Sequence, residues 1–527
     1  MSELWAELFS GEGPMLYAMT DDGVEGLPAG EMIGRGERAA AGLARRGVEP
    51  GTRVACIITN SPQACASVTG IWLAGGVVVS VPIIARATTV PEYQDQLRRI
   101  CEHTGAPLLL VEARFAPFLE GLGVDVVTHE ELPADRALAL DPPGEDDIAF
   151  VQYSSGSTRE PRGCALTTST IAAQLDLLSE ALALDPERDR GLAWLPLSHD
   201  MGFFGAYLNF WRANVDGMIT APERFLGAPR TWLDDCAEFG ATLTVTPALG
   251  LGMAARAARG APPAGGLGLR ACIVGGDLVH PHTLDTVDEV LGPLGLGRDR
   301  VVPAYGLAEA TLAVTMSALG EQPHLAPAPG AQESQPPFVS AGRPLRGVEL
   351  RIEGDEGVGE ILVRSPSLAS GYFEDEAATA EAFAGGELRT GDLGFLSDGE
   401  LYVVGRADDV IKVGARKVWA TEVEAALAQE PAVRAGNCAL VLVPDSTGQR
   451  LVVLAEPADE SGALETAARR VGRRALEAGG IGIGECVFLA RGSLPKTPSG
   501  KVQRYRCRQL AREGGDAVIG RVALRDA

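Results

Sequence analysis

Short, unbroken apolar runs alternate with helix-patterned stretches along most of this chain, and few architectures accept that arrangement. Val54 to Ile58, Val77 to Val81, Leu108 to Val111, Ala271 to Val274 and Val301 to Ala304 are apolar throughout and bounded by turn residues. Continuous hydrophobicity marks strands covered on both faces. Gly34 to Arg46 and Thr168 to Leu184 read as helices between such strands. The expectation is an α/β body of largely parallel sheets flanked by helices. At 527 residues the chain is too long for one hydrophobic core, so more than one domain is expected. The stretch 321–337, aperiodic and bearing Pro and Gln, reads as a surface loop. Beyond it, Val348 to Ile352, Gly359 to Val363 and Glu400 to Val404 are short alternating strands, which predict a smaller β-rich subdomain.

One segment, Ala66 to Ile84, is apolar enough to be mistaken for a membrane span. Gly70, Gly75, Gly76 and Pro82 interrupt it and no basic residues flank it, so a buried helix followed by a buried strand is expected. The start, MSELWAELFSGEG, lacks the basic and apolar regions of a secretory signal, and a cytoplasmic location is expected. Nine cysteines without a CxxC pair or zinc spacing read as small buried hydrophobes in a reducing compartment. The formal charge of −24 argues against a protein that grips nucleic acid or an anionic membrane.

Charge also divides the chain. Residues 406–527 carry 19 basic and 15 acidic groups, whereas residues 1–405 carry 27 and 55. All four lysines, Lys412, Lys417, Lys496 and Lys501, lie in the C-terminal piece. A basic lid over an acidic body suits a polyphosphate held between them. The division expected is an N-terminal body, 1–405, and a C-terminal lid, 406–527.

Tyr153 to Gly163, YSSGSTREPRG, follows the apolar run Ile148 to Val151, so a strand leads into a Ser/Thr/Gly loop. Successive amides and hydroxyls in such a loop can face phosphate oxygens, with Gly156 allowing close approach. No GK[ST] follows, which sets it apart from the usual nucleotide loop. By itself SSGST is equally consistent with an ordinary polar loop. Further along lie WLPLSHDMG at Trp194 to Gly202, YGLAEAT at Tyr305 to Thr311, TGDLG at Thr390 to Gly394, GRADDVIK at Gly405 to Lys412 and PKTPSGK at Pro495 to Lys501.

In order and spacing these segments resemble the adenylate-forming superfamily: acyl-CoA synthetases, fatty acyl-AMP ligases, luciferases and peptide-synthetase adenylation domains. The resemblance runs from about Gly34 to Leu510 and is nearest to the acyl-CoA synthetase and fatty acyl-AMP ligase branches. It implies attack of a carboxylate on the α-phosphate of ATP, giving acyl-AMP and pyrophosphate. Two anions must meet, so preorganised cations and dipoles are the efficient means. By resemblance, Ser154, Ser155, Gly156, Ser157 and Thr158 would cradle the β- and γ-phosphates, and Glu309 would hold Mg²⁺ between phosphates. Tyr305 would stack on adenine beside Gly275, Gly276 and Asp277, with Ala304, Gly306, Leu307 and Ala308 completing the ATP site. Asp392 would accept from the ribose hydroxyls and Arg406 donate to the same sugar. Lys501 would be catalytic, its ammonium reaching both the carboxylate and the oxygen bridging sugar and α-phosphate. Lys496, in the same loop, is expected to be exposed.

Asp408 falls at the family's hinge, with a plain exposed loop residue as the alternative. His199, grouped with Lys501 and Glu309 as catalytic, is the candidate guard of an acyl pocket, with a satisfied core imidazole as the alternative. Phe203, Phe204, Tyr207 and Trp211 share one helical face beside it, and Phe203, Phe204 and Tyr207 are candidates for the pocket wall; core packing explains the same pattern.

Two departures stand out. Arg159 and Arg162 replace the Gly and Lys of many relatives in the first loop, and Ala415 and Ala420 replace a Gly and a Pro further on. An added methyl at Ala415 would obstruct a pantetheine arm. The function expected is ATP-dependent activation of a hydrophobic carboxylic acid as its acyl-adenylate, followed by transfer to CoA, in bacterial lipid or natural-product biosynthesis. The alternatives are handover to an acyl carrier protein or separate enzyme, and a relative that binds adenylates without making them. ATP and Mg²⁺ are implied, CoA is a possible acceptor, and neither nucleic acid nor a membrane span is expected.

Overall fold

The computed structural model describes residues 2–20, 23–84, 88–134, 141–153, 162–263, 265–331, 336–354, 357–413, 416–445, 448–459, 462–497 and 500–524, with backbone alone at 408, 412, 413, 416, 417, 445 and 448. Two large sheets dominate. The first has nine strands, and its centre is six parallel ones in the order Val301–Gly306, Ala271–Val274, Leu243–Thr246, Arg190–Ala193, Asp216–Ile219 and Met15–Thr20, with antiparallel strands at both edges. The second has seven strands, five of them parallel: Ile148–Tyr153, Val77–Ser80, Arg53–Cys56, Leu108–Val111 and Asp125–Thr128. Helices cover both sheets, so the expected α/β body is observed. Each unbroken apolar run of the sequence is a central parallel strand.

Element ends differ from the sequence pattern where caps intervene. The helix expected from Gly34 starts at Ala29 after Pro28, because Ala29, Met32 and Ile33 extend its buried face. The helix from Thr168 ends at Ala181, two residues before Ala183 turns left-handed (φ 43°). Ala66 to Ile84 resolves into the end of a helix, Pro62–Leu73, which is buried from Ala64 onward, and a buried strand, Val77–Ser80. Gly70 allows that helix to press on its neighbour: a Cβ there would lie 2.7 Å from the Ala39 Cβ and 2.9 Å from the Gly36 carbonyl. Among the described residues no helix is long and apolar enough to cross a membrane. All nine cysteines are buried and free.

Glu349–Glu353, Gly359–Arg364, Leu388–Ser397 and Glu400–Arg406 form the expected small antiparallel sheet. From Val410 onward come a two-stranded hairpin and a further four-stranded sheet, Val433–Asp445, Gly448–Pro457, Glu485–Leu489 and Val518–Ala523. Helices Ala420–Leu427, Leu464–Gly479 and Arg504–Glu513 pack on it, with a separate core that includes Val423, Leu440, Val453 and Phe488.

A polar clamp joins this piece to the body. The Arg506 guanidinium donates to Thr88 Oγ1 at 3.0 Å and to both carboxylate oxygens of Glu92 at 3.0 and 3.1 Å. Glu92 is already fixed, since it closes the capping box with Thr89 that starts helix Val90–Thr104.

Candidate active site

Parallel strands leave their loops at one end, and a large cavity lies there. It measures about 2010 Å³ and runs between the strand ends of the body and the C-terminal piece. Gly275, Gly276, Asp277, Ala304 to Glu309, His199, Asp392, Arg406 and Lys501 all line it.

Strand Val301–Gly306 delivers Tyr305 to the cavity. Its hydroxyl donates to Asp392 Oδ2 at 2.8 Å. Asp392 is not in a turn, as TGD on its own would read, but within strand Leu388–Ser397, paired opposite Arg406. The Arg406 Nε lies 3.8 Å from Asp392 Oδ1. Burial raises the Asp392 carboxyl above its ordinary value, a rise that Arg406, the Tyr305 hydroxyl and Lys501 only partly offset. Burial also pushes the Tyr305 phenol well up.

The turn after Tyr305 is strained. Thr311, β-branched and buried, adopts φ 66° and ψ −50°, and the Leu312 amide donates to the Ala310 carbonyl at 2.8 Å. Non-glycine residues in such regions cost of order 1–3 kcal/mol and persist only where surroundings dictate them. Here the Thr311 hydroxyl donates to the Ser367 carbonyl at 2.7 Å, and the Ala369 amide to the Glu309 carbonyl at 2.8 Å. These bonds hold Glu309 in the cavity wall, where Oε1 accepts from the Tyr372 hydroxyl at 2.9 Å. The Arg162 guanidinium stacks over the same Tyr372 ring, 5.1 Å from its centroid. Ser154 to Thr158 and Arg159 lie outside the described residues, as does Ala415.

The C-terminal wall includes Thr497, Gly500, Lys501 and Val502. Lys496 and Val502 form a bridge, the Thr497 amide donates to the Lys501 carbonyl at 2.8 Å, and the Lys501 amide donates to Thr497 Oγ1 at 3.0 Å. The Lys501 ammonium is close enough to pull down the carboxyls of Asp200, Asp277 and Asp392, one from each of three body segments. Lys496 is not exposed as its loop position implied. The bridge turns it inward, where it is buried and its Nζ donates to the Gly436 carbonyl at 2.6 Å.

A family model described as AMP-binding enzyme matches residues 19–373. This chain belongs to that family. Its relatives include a Caulobacter vibrioides chain classed by name as an acyl-CoA synthetase, 27% identical over 94% of this chain and 92% of that one. A long-chain fatty-acid–AMP ligase of Mycolicibacterium smegmatis is 28% identical over 92% and 89%. A structure from a study of fatty acyl-adenylate ligases of E. coli and L. pneumophila superposes with a TM-score of 0.87 over 97% of this chain and 98% of that one, at 24% identity.

In this AMP-binding enzyme the candidate aromatic wall is core. Phe203 and Phe204 are fully buried and Tyr207 nearly so, packed on Trp72 and Phe150, and the cavity does not touch them. The helix there is not a plain α-helix: Phe203–Leu208 is π-helical, which alters the face that a 3.6-residue period assigns. The apolar side of the cavity is made instead by Leu178, Leu182, Val245, Ile273, Ala313 and Met316. His199 does line the cavity and is not a core imidazole.

Asp408 sits in a 3-10 turn between the small sheet and the hairpin. Its neighbour Asp409 was not singled out by the sequence. It accepts from Arg504 Nε at 2.5 Å, while the other end of that guanidinium meets both oxygens of Glu424 at 2.5 and 3.0 Å. Arg504 therefore ties the turn at 407–409 to the helix that follows Lys501.

Among the described residues no cluster of three metal-ligating side chains exists. A single carboxylate at the cavity wall still fits Mg²⁺, which keeps most of its shell as water and phosphate oxygens.

Proposed function

We propose that this enzyme condenses a hydrophobic carboxylic acid with ATP, releasing pyrophosphate and forming an acyl-adenylate. The single observation carrying this reading is one cavity with an apolar arm, a strand-held Asp392–Tyr305 pair and the Lys501 ammonium on the facing wall. Tyr305 and Gly275 to Asp277 hold the adenine, with Ala304 and Gly306 to Ala308 beside them, and Asp392 and Arg406 hold the ribose. Glu309 would hold Mg²⁺, which would neutralise phosphate charge when bound. Arg162 faces the phosphate end through Tyr372. Lys501 brings carboxylate and α-phosphate together by neutralising both, a task suited to a compact ammonium on a mobile stem. The acid's chain runs along Leu178, Leu182, Val245, Ile273 and Met316.

The body, 1–405, and the lid, 406–527, meet at a hinge at Asp408. The acceptor of the acyl group is CoA. A second reading, handover to an acyl carrier protein or another enzyme, is favoured by the methyl of Ala415.

Pyrophosphate release from ATP and Mg²⁺ with straight-chain, aryl and polycyclic acids, with and without CoA, tests the proposal. Acid-dependent release that disappears in Lys501→Ala is expected, and mass spectrometry separates acyl-CoA from accumulated acyl-AMP. Tight adenylate binding with no release for any acid would make the chain a non-adenylating relative.

A further inference from the structure

Asp200 has no assigned role, yet its side chain, 13% exposed, sits at the wall where carboxylate and phosphate are proposed to meet. Its Oδ1 lies 2.5 Å from His199 Nδ1, and both residues line the cavity. An ionised carboxylate only accepts, so a contact this short requires the hydrogen on Nδ1. The Met201 amide lies 3.3 Å from that nitrogen and 2.6 Å from Asp200 Oδ1. Nδ1 cannot both donate to Asp200 and accept from Met201, so the shorter contact takes the amide hydrogen. Nε2 is then the ring atom left for a ligand.

The turn that carries the pair is bolted to both sheets. Asn60 Nδ2 donates to the Leu195 and Thr220 carbonyls at 2.9 Å each, and its Oδ1 accepts from the Leu197 amide at 3.0 Å. Ser80 Oγ and Gln152 Nε2 both donate to the Ser198 carbonyl, at 3.2 and 3.1 Å. A Cβ at Gly202 would lie 2.3 Å from the Pro196 carbonyl oxygen, so the backbone closes on itself there and only glycine fits. So much anchoring fixes the direction of His199, which a surface loop would not need.

We propose that Asp200 is a positioning residue: it takes the Nδ1 hydrogen of His199 and keeps the ring as an imidazolium whose Nε2–H receives the carboxylate of the incoming acid. This rests on the acid-activating reading above. An extra carboxylate beside a site for two anions would repel both unless it were neutralised, and the pairing supplies that neutralisation. Burial by itself would raise the Asp200 carboxyl, but His199 and then Lys501 hold it below its ordinary value. Charges that act on the pair come from three segments: Asp200 on its own turn, Asp277 after strand Ala271–Val274, and Lys501 on the C-terminal loop.

The test is a mutant cycle. Asp200→Asn keeps the size and an acceptor oxygen but removes the charge. It is expected to raise KM for the acid about tenfold at neutral pH, the worth of one charged hydrogen bond, with KM for ATP unchanged. The fall in acid affinity with rising pH should move to lower pH. Adding Asp200→Ala to His199→Ala should change KM for the acid no further, because Asp200 acts through His199. An unchanged KM and pH profile in Asp200→Asn, or additive losses in the double variant, overturns the proposal. Histidine NMR supplies a readout that needs no activity. With six histidines, the signal lost in His199→Ala is assigned directly. It should titrate at lower pH in Asp200→Asn than in the wild type, and equal titration overturns the pairing. A wild type that releases no pyrophosphate with any acid sinks the ligase reading instead, and the NMR titration then decides the pairing by itself.

Discussion

Aspartates near the two ends of the nine-stranded sheet are held differently. At the end where the parallel strands begin, Asp189 precedes strand Arg190–Ala193, Thr242 precedes Leu243–Thr246 and Arg270 precedes Ala271–Val274. Arg270 grips Asp189 with Nε and Nη2 at 2.7 Å each, the Thr242 hydroxyl donates at 2.9 Å and the Asp185 amide at 3.0 Å. Burial would raise this carboxyl, yet the Arg270 hydrogen bonds and the others around it hold it below its usual range. At the opposite end Asp277 and Asp392 are raised, because burial there exceeds what Lys501 and Arg406 return. One end of the sheet is fully satisfied and serves stability. At the other, the carboxylates facing the crevice are unevenly satisfied: Asp277 and Asp392 are raised, while His199 and Lys501 hold Asp200 low.

The largest way to sharpen that contrast is Lys501→Ala. It should lower the rate of pyrophosphate release by roughly 10²–10³-fold, the worth of one preorganised transition-state contact, while the unfolding midpoint stays put. Asp189→Asn should do the reverse. It strands the Arg270 guanidinium and should cost about 3 kcal/mol in denaturant titrations, while the folded fraction keeps its activity.

The same variant carries a pH signature. A depressed carboxyl gives stability above the unfolded Asp value, near 3.9, that is lost as pH falls through the lower folded value. Wild-type stability should therefore drop below about pH 4 more steeply than that of Asp189→Asn.

Asp392→Asn should move stability the other way, with a gain of up to ~1 kcal/mol at neutral pH, because a raised buried carboxylate is a cost there. KM for ATP should rise together with that gain. A loss of stability would break the comparison, since it would make Asp392 structural like Asp189. The smallest effect is expected at the clamp between body and C-terminal piece. Glu92→Gln should cost under ~1 kcal/mol, and less at high salt, because the Glu92 end of the Arg506–Glu92 pair is half-exposed to water.

Motifs that carry their chemistry in one short stretch were legible in advance. Tyr305 and Glu309 share one segment and Asp392, Arg406 and Lys501 stand in three others, yet their order was enough to gather them, and the structure brings all five to one cavity. Asp200 was missed although it stands beside His199, because a lone carboxylate in a sequence has no direction. Asp189 and Arg270 are 81 residues apart and signal nothing until strands Arg190–Ala193 and Ala271–Val274 come to lie in one sheet.

The sequence by itself determined the α/β class, the central strands and the glycine-bearing buried helix. Those follow from local hydrophobic periodicity, which each segment carries within itself. Tertiary structure decided which aromatic rings are core, that Lys496 turns inward, that Asp392 is strand-borne, and which buried carboxylates are satisfied. These depend on what lies across space from a side chain, through the dielectric and partners found there. A one-dimensional pattern holds no record of either.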